Sequence, residues 1–118
     1  MHFLSRLKSA YQNLSESFII KFQNKVDWEI LWQYKRFNEK FILKFENKIN
    51  WKYISQYQKL SEKFIKKYKN KVIWKKICKY QKLSESFIIK NKDKVNWRMI
   101  AEYQNLSESF MIEFKDYL

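Results

Sequence analysis

The 118-residue chain contains no glycine and no proline, and only one cysteine and one histidine. Glycine adopts positive φ at no steric cost and proline locks φ, so their absence excludes Gly-rich phosphate loops, tight hairpin turns and most β-sheet arrangements. Helices pass that filter. The lone Cys78 excludes an internal disulfide framework and suits a reducing cytoplasm, and a single His leaves too few soft ligands for a structural zinc site. Long apolar runs are missing too: Phe18, Ile19 and Ile20 are followed at once by Lys21, so no stretch reaches the length of a signal peptide or a membrane span. The expectation is a soluble, cytoplasmic protein with no membrane partner.

What is present is aromatic, basic and periodic. Aromatic residues make up 19% of the chain, and 25 Lys and Arg stand against 12 Asp and Glu, a formal charge of +13. Tyr recurs at positions 11, 34, 57, 80 and 103, a fixed step of 23 residues. The same step carries Glu16, Glu39, Glu62, Glu85 and Glu108, then Phe18, Phe41, Phe64, Phe87 and Phe110, then Trp28, Trp51, Trp74 and Trp97. A strict period of this length is the signature of a repeat architecture. The chain therefore reads as one helical-repeat domain over 1–118, with a cap at 1–10, full repeats at 11–33, 34–56, 57–79 and 80–102, and a partial repeat at 103–118.

Each repeat encodes two short helices. The first starts at the Trp and places Trp, Ile or Leu, and Tyr on one face. Asp27, Asn50 and Asn96 precede it as N-caps, whereas Ile73 breaks the pattern and predicts a weaker cap in the third repeat. The second follows Ser15, Asn38, Ser61, Ser84 or Ser107 as N-cap, with Glu next, at the positive end of the helix dipole. Phe18, Ile19, Phe22 and Val26 form its apolar stripe, and Lys25, Lys48, Lys71 and Lys94 are expected to close it at the negative end. With Phe3, Leu4, Leu7 and Tyr11 counted as a worn first helix, this gives about ten helices in five pairs. Helices this short do not hold alone in water, so stacked pairs sharing a core of Trp, Tyr, Phe and Ile predict an all-α solenoid.

Columns that repeat read as packing, and columns that vary are where a partner can be recognised. Charge varies most. Residues 11–33 carry −1, 34–56 carry +4, 57–79 carry +8 from nine Lys and one Glu, and 80–102 carry +2. On the face of the first helix away from Trp-Ile-Tyr lie Lys52 and Tyr53, then Lys75, Lys76 and Lys79, then Arg98 and Met99, a mixture able to hold phosphates and stack on a base or to meet an acidic protein patch. Together with Lys66, Lys67 and Lys69 of the second helix, the residues Lys52, Tyr53, Lys75, Lys76, Lys79 and Arg98 form the candidate partner-binding set. Lys21 and Lys25, with their counterparts in the next repeats, share a helical ridge that stacking would extend into a basic stripe.

Several positions carry two readings. Ile20, Leu43, Ile89 and Ile112 lie off the main stripe, with Lys66 in their column; contact with the adjoining repeat is the favoured reading and an exposed apolar seam the other. Asn91 stands in the column of Phe22, where it either lowers local stability or marks a rim position. Cys78 reads as a packed small residue, its thiol pKa lowered by Lys75, Lys76 and Lys79 only if it is exposed. The Ser column is explained by capping and the Glu16 column by the dipole, and His2 lies at a fraying terminus. No catalytic, metal or cofactor constellation and no small-molecule substrate are therefore expected, and the chain reads as a non-enzyme.

The unit Tyr-Gln-x-Leu-Ser-Glu-x-Phe-Ile-x-Lys-Phe-x-Asn-Lys-Val-x-Trp-x-x-Ile, as in residues 57–77 with small changes, resembles a 23-residue repeat of largely uncharacterised proteins from bacteriophages, giant viruses and some bacteria. The resemblance covers residues 11–118, and Lys35, Phe37, Asn38 and Asn91 depart from its pattern. It implies a small viral protein that acts by binding in the host cytoplasm, and the context it suggests is inhibition of a host defence such as a CRISPR effector. The leading expectation is docking of the basic centre on a host protein or ribonucleoprotein complex. The alternatives are direct, sequence-independent RNA or DNA binding and a self-assembling module whose end residues Phe110, Met111 and Phe114 pair between chains.

Overall fold

The structure, a computed structural model, describes residues 2–118, with side chains from Ser5 onward. The apolar roles expected of Phe3 and Leu4 lie outside the described side chains. Among the described residues there are ten α-helices and no strand. They are α1 (His2–Gln12), α2 (Glu16–Lys21), α3 (Trp28–Tyr34), α4 (Glu39–Lys44), α5 (Trp51–Tyr57), α6 (Glu62–Lys67), α7 (Trp74–Tyr80), α8 (Glu85–Lys90), α9 (Trp97–Tyr103) and α10 (Glu108–Glu113). None is long and apolar enough to cross a membrane.

Capping sets where the helices start. Ser15, Asn38, Ser61, Ser84 and Ser107 each accept the backbone N–H three residues on, at 2.8–3.2 Å. Asp27, Asn50 and Asn96 do the same for the Trp helices at 3.1–3.2 Å. At α7 the N-cap is Ile73, which makes no side-chain capping bond. The weak third cap is thus present as expected.

The ends of the Glu helices differ from expectation. They stop at the Lys21 column, after six residues, and the chain then turns through bonds such as Lys25 N–H to the Phe22 carbonyl at 2.8 Å. The reason lies in the next helix. Trp28, Trp74 and Trp97 donate their indole N–H to the carbonyls of Gln23, Lys69 and Lys92 at 2.8–3.1 Å, a bond made in the turn rather than along a continued helix. Lys25, Lys71 and Lys94 therefore sit beyond the helix and not at its dipole end, while Lys48 ends a short 3-10 turn, Glu46–Lys48. Lys48 and Lys94 instead reach back one repeat to the Asn24 and Asn70 side chains, at 3.3 and 3.2 Å.

The helices form two compact units, Met1–Lys59 and Leu60–Leu118. In the first, α3 packs against both α1 and α5; in the second, α7 packs against α9. Trp helices one repeat apart thus lie side by side within each unit, the repeated packing of an α-solenoid. The core columns are Leu31, Ile54, Ile77 and Ile100 from the Trp helices and Ile19, Ile42, Ile65 and Ile88 from the Glu helices, all fully buried. The Trp column is half-buried, while Trp32 is sealed and donates its indole N–H to the Lys48 carbonyl at 3.0 Å.

Three packing expectations are corrected. Tyr57, Tyr80 and Tyr103 are exposed rather than core, because the buried axis runs through the Leu31–Trp32 columns and the Tyr column lies about 110° from it at helical spacing. Of the column Ile20, Leu43, Ile89 and Ile112, only Leu43 is half-buried; the other three are exposed and do not bury against an adjoining repeat. Phe18 is 42% exposed while Phe41, Phe64, Phe87 and Phe110 are buried. Phe87 and Phe110 stack on the Trp thirteen residues earlier, at 6.2 and 6.5 Å, and the residue thirteen before Phe18 is Ser5.

Two polar columns join repeats in ways the one-dimensional pattern does not show. The Gln104 amide donates to the carbonyls of Cys78 and Gln81 at 2.8 and 2.7 Å, and its oxygen accepts the Leu83 N–H at 3.0 Å. Gln58 does the same to Trp32, Lys35 and Phe37. Glu62 and Glu85, explained from sequence by the dipole alone, also accept the N–H and hydroxyl of Ser84 and Ser107.

Candidate functional site

Burying Ile77 and Cys78 on one side of α7 leaves Lys75, Lys76 and Lys79 along its other edge. On α9, burial of Ile100 leaves Arg98 and Glu102 outward, 3.5 Å apart in an exposed ion pair. The two helices flank a groove of about 520 Å³ lined by Lys75, Lys76, Lys79 and Arg98 together with Glu102 and Tyr103. Four cations therefore face one carboxylate, which Arg98 already holds.

Lys79 is placed by aromatic rings. Its ammonium lies 5.2 Å from the Tyr80 ring centre and 5.1 Å from that of Tyr103. Hydrogen bonding to the Tyr80 phenol, then the charge interaction with Tyr103, moves its pKa above the ordinary lysine value. Lys79 is thus a fixed positive charge at any physiological pH. Lys76 shares the Tyr80 ring at 5.7 Å.

The other candidate residues lie elsewhere. Lys66 and Lys69 line a second groove, also about 520 Å³, between α6 and α8. Lys67 lies outside it, with its ammonium 5.6 Å from the Tyr68 ring. Lys52 and Tyr53 belong to the first unit, on α5, where Lys52 is exposed and Tyr53 is half-buried with its ring 5.9 Å from Tyr57. Met99, expected on an outward face, is buried. Its column, with Ile30, Tyr53 and Lys76, sits at the rim of the packing face rather than opposite it. Sequence reasoning passed over Tyr103 as a groove residue because its column was assigned to the core.

The groove offers charge and no nucleophile. Cys78 is buried behind it, with the Asn96 N–H donating to Sγ at 3.4 Å. Burial raises its thiol pKa, outweighing the lowering effect of that bond, so the neighbouring lysines do not activate it. Among the described residues, no group of three or more His, Cys, Asp or Glu side chains comes together to hold a metal ion. The arrangement concentrates positive charge in one groove.

In comparisons with known proteins, no family model, no curated protein and no solved structure matches this chain at a significant level.

Proposed function

We propose that this is a non-enzymatic helical-repeat binding protein that docks on a host nucleic-acid-handling complex. The observation that carries the reading is the convergence of Lys75, Lys76, Lys79 and Arg98 on one groove between α7 and α9. Ordinary solvated faces mix both signs of charge, whereas this groove has a single carboxylate, already paired. A complementary acidic surface, or one bearing RNA, gains attraction and fast association from such a field. We extend this reading, on the sequence resemblance of the repeat alone, to a counter-defence role in the host cytoplasm, including inhibition of a CRISPR effector.

The test is affinity capture from nuclease-treated host lysate with the wild-type protein and with the charge-reversed pair Lys75→Glu and Lys76→Glu. Capture by wild type and its loss in the variant, with the helical circular-dichroism signal retained, is the expected result. Equal capture by both proteins would overturn the reading.

A further inference from the structure

The second groove, between α6 and α8, is marked by a coincidence that no single repeat explains. In the column of Ile20, Leu43, Ile89 and Ile112, one repeat alone has a charged residue, Lys66. In the column of Phe22, Phe45, Tyr68 and Phe114, one repeat alone lacks a ring, and the residue there is Asn91. These two breaks fall in different repeats, 25 residues apart, yet both side chains line the same groove. Departures from a repeat that converge in space indicate a site rather than drift in packing.

The groove is also one-sided in charge, with four cations and one carboxylate. Lys63, Lys66, Lys69 and Lys90 surround it, and none of them is in an ion pair among the described residues. Its one carboxylate, Glu62, is turned to the neighbouring helix cap, accepting the Ser84 N–H at 2.6 Å and its hydroxyl at 2.9 Å. Asn91 anchors its amide nitrogen on the Phe87 carbonyl at 2.8 Å, which fixes the side chain at the edge of the space a ring would fill. Glu62 and Asn91 are thereby held in place without a ligand.

We propose that this groove binds consecutive phosphates of a single nucleic-acid strand. All four cations are lysines. Lysine ammoniums are compact point charges that hold phosphate oxygens without a fixed orientation, and a run of phosphates supplies the several negative charges that four cations without an ion pair can take up. Phe87 is buried, so the groove presents no ring for bases to stack on, and contact through the backbone alone makes binding independent of sequence. The site is separate from the α7–α9 groove and adds a direct nucleic-acid contact to the docking reading.

Two substitutions test it while restoring the repeat pattern: Lys66→Ile and Asn91→Phe each install the residue type that the other repeats carry, so the fold is kept. Fluorescence anisotropy with a labelled oligothymidylate should show salt-dependent binding by wild type. Each variant should weaken it about tenfold at low salt with an undiminished melting temperature, and Lys66→Ile should reduce the magnitude of the log–log salt slope by about 0.7. The pair Lys75→Glu and Lys76→Glu should still bind at low salt. Absence of binding by wild type, equal binding by Lys66→Ile and Asn91→Phe, or equal competition by polyglutamate at matched charge would each overturn the proposal. Loss of lysate capture in the Lys75→Glu, Lys76→Glu pair, with oligothymidylate binding by Lys66→Ile equal to wild type, would leave the docking reading in place and overturn this one alone.

Discussion

The Lys35 ammonium donates to the Gln12 carbonyl at 3.1 Å, in the column where Gln58 and Gln104 place a side-chain amide. An ammonium has donors and no acceptor, so it can satisfy the carbonyl of the preceding repeat but cannot receive a backbone N–H as Gln58 receives that of Phe37. The second repeat therefore has one of the three bonds that Gln58 and Gln104 each make.

Restoring the glutamine and removing it should move stability in opposite directions. Lys35→Gln is expected to raise unfolding stability by about 1 kcal/mol, the net worth of one added hydrogen bond. Gln58→Leu leaves the Trp32 and Lys35 carbonyls and the Phe37 N–H without this partner and is expected to cost about 2 kcal/mol or more. Urea denaturation checks both; a loss below about 0.5 kcal/mol in Gln58→Leu would show that water replaces the amide freely.

The uncapped start of α7 offers a second gain. Ile73 is exposed, so replacing it removes little buried apolar surface. Ile73→Asn supplies the oxygen that Asn50 and Asn96 already use and should stabilise the chain by about 1 kcal/mol in thermal unfolding. An unchanged melting temperature would count against capping as the limit on this helix.

Aromatic truncations should separate the first repeat from the rest. Phe87→Ala removes a ring that is 7% exposed and stacked on Trp74, and should cost about 3–5 kcal/mol. Phe18→Ala removes one that is 42% exposed, and should cost about 1 kcal/mol or less. Equal losses would show that the first repeat is as tightly packed as the fourth.

Cys78 sets a pH dependence of definite sign. Burial raises its thiol pKa above 9.0 in the folded protein, while the unfolded thiol ionises near that value. Above about pH 9 the unfolded state therefore binds fewer protons than the folded one, and this group's contribution to stability falls as pH rises. Well below the ordinary thiol pKa both states keep the proton and it contributes no slope. Thiol labelling near neutral pH should be slow in the native protein and fast in denaturant; fast native labelling would contradict the burial.

The helices and their starts were legible in the residues because capping and dipole effects act within three or four positions, and Ser61 or Asn96 needs nothing distant to do its work. The basic candidates Lys75, Lys76, Lys79 and Arg98 were legible too, since charge density along a helix edge is a local property. Lys63, Lys90 and Asn91 were not seen as neighbours of Lys66, because their meeting depends on how α6 and α8 align.

Local order along the chain thus dictated that there would be paired short helices, where they begin, and which repeat carries the most charge. Packing between repeats decided the rest: the early end of the Glu helices, which meets an indole donor from the next helix, the outward position of the tyrosines, and the division of the lysines between two grooves. Those outcomes depend on bonds and contacts between residues that folding alone brings together, so periodicity within one repeat carries no record of them.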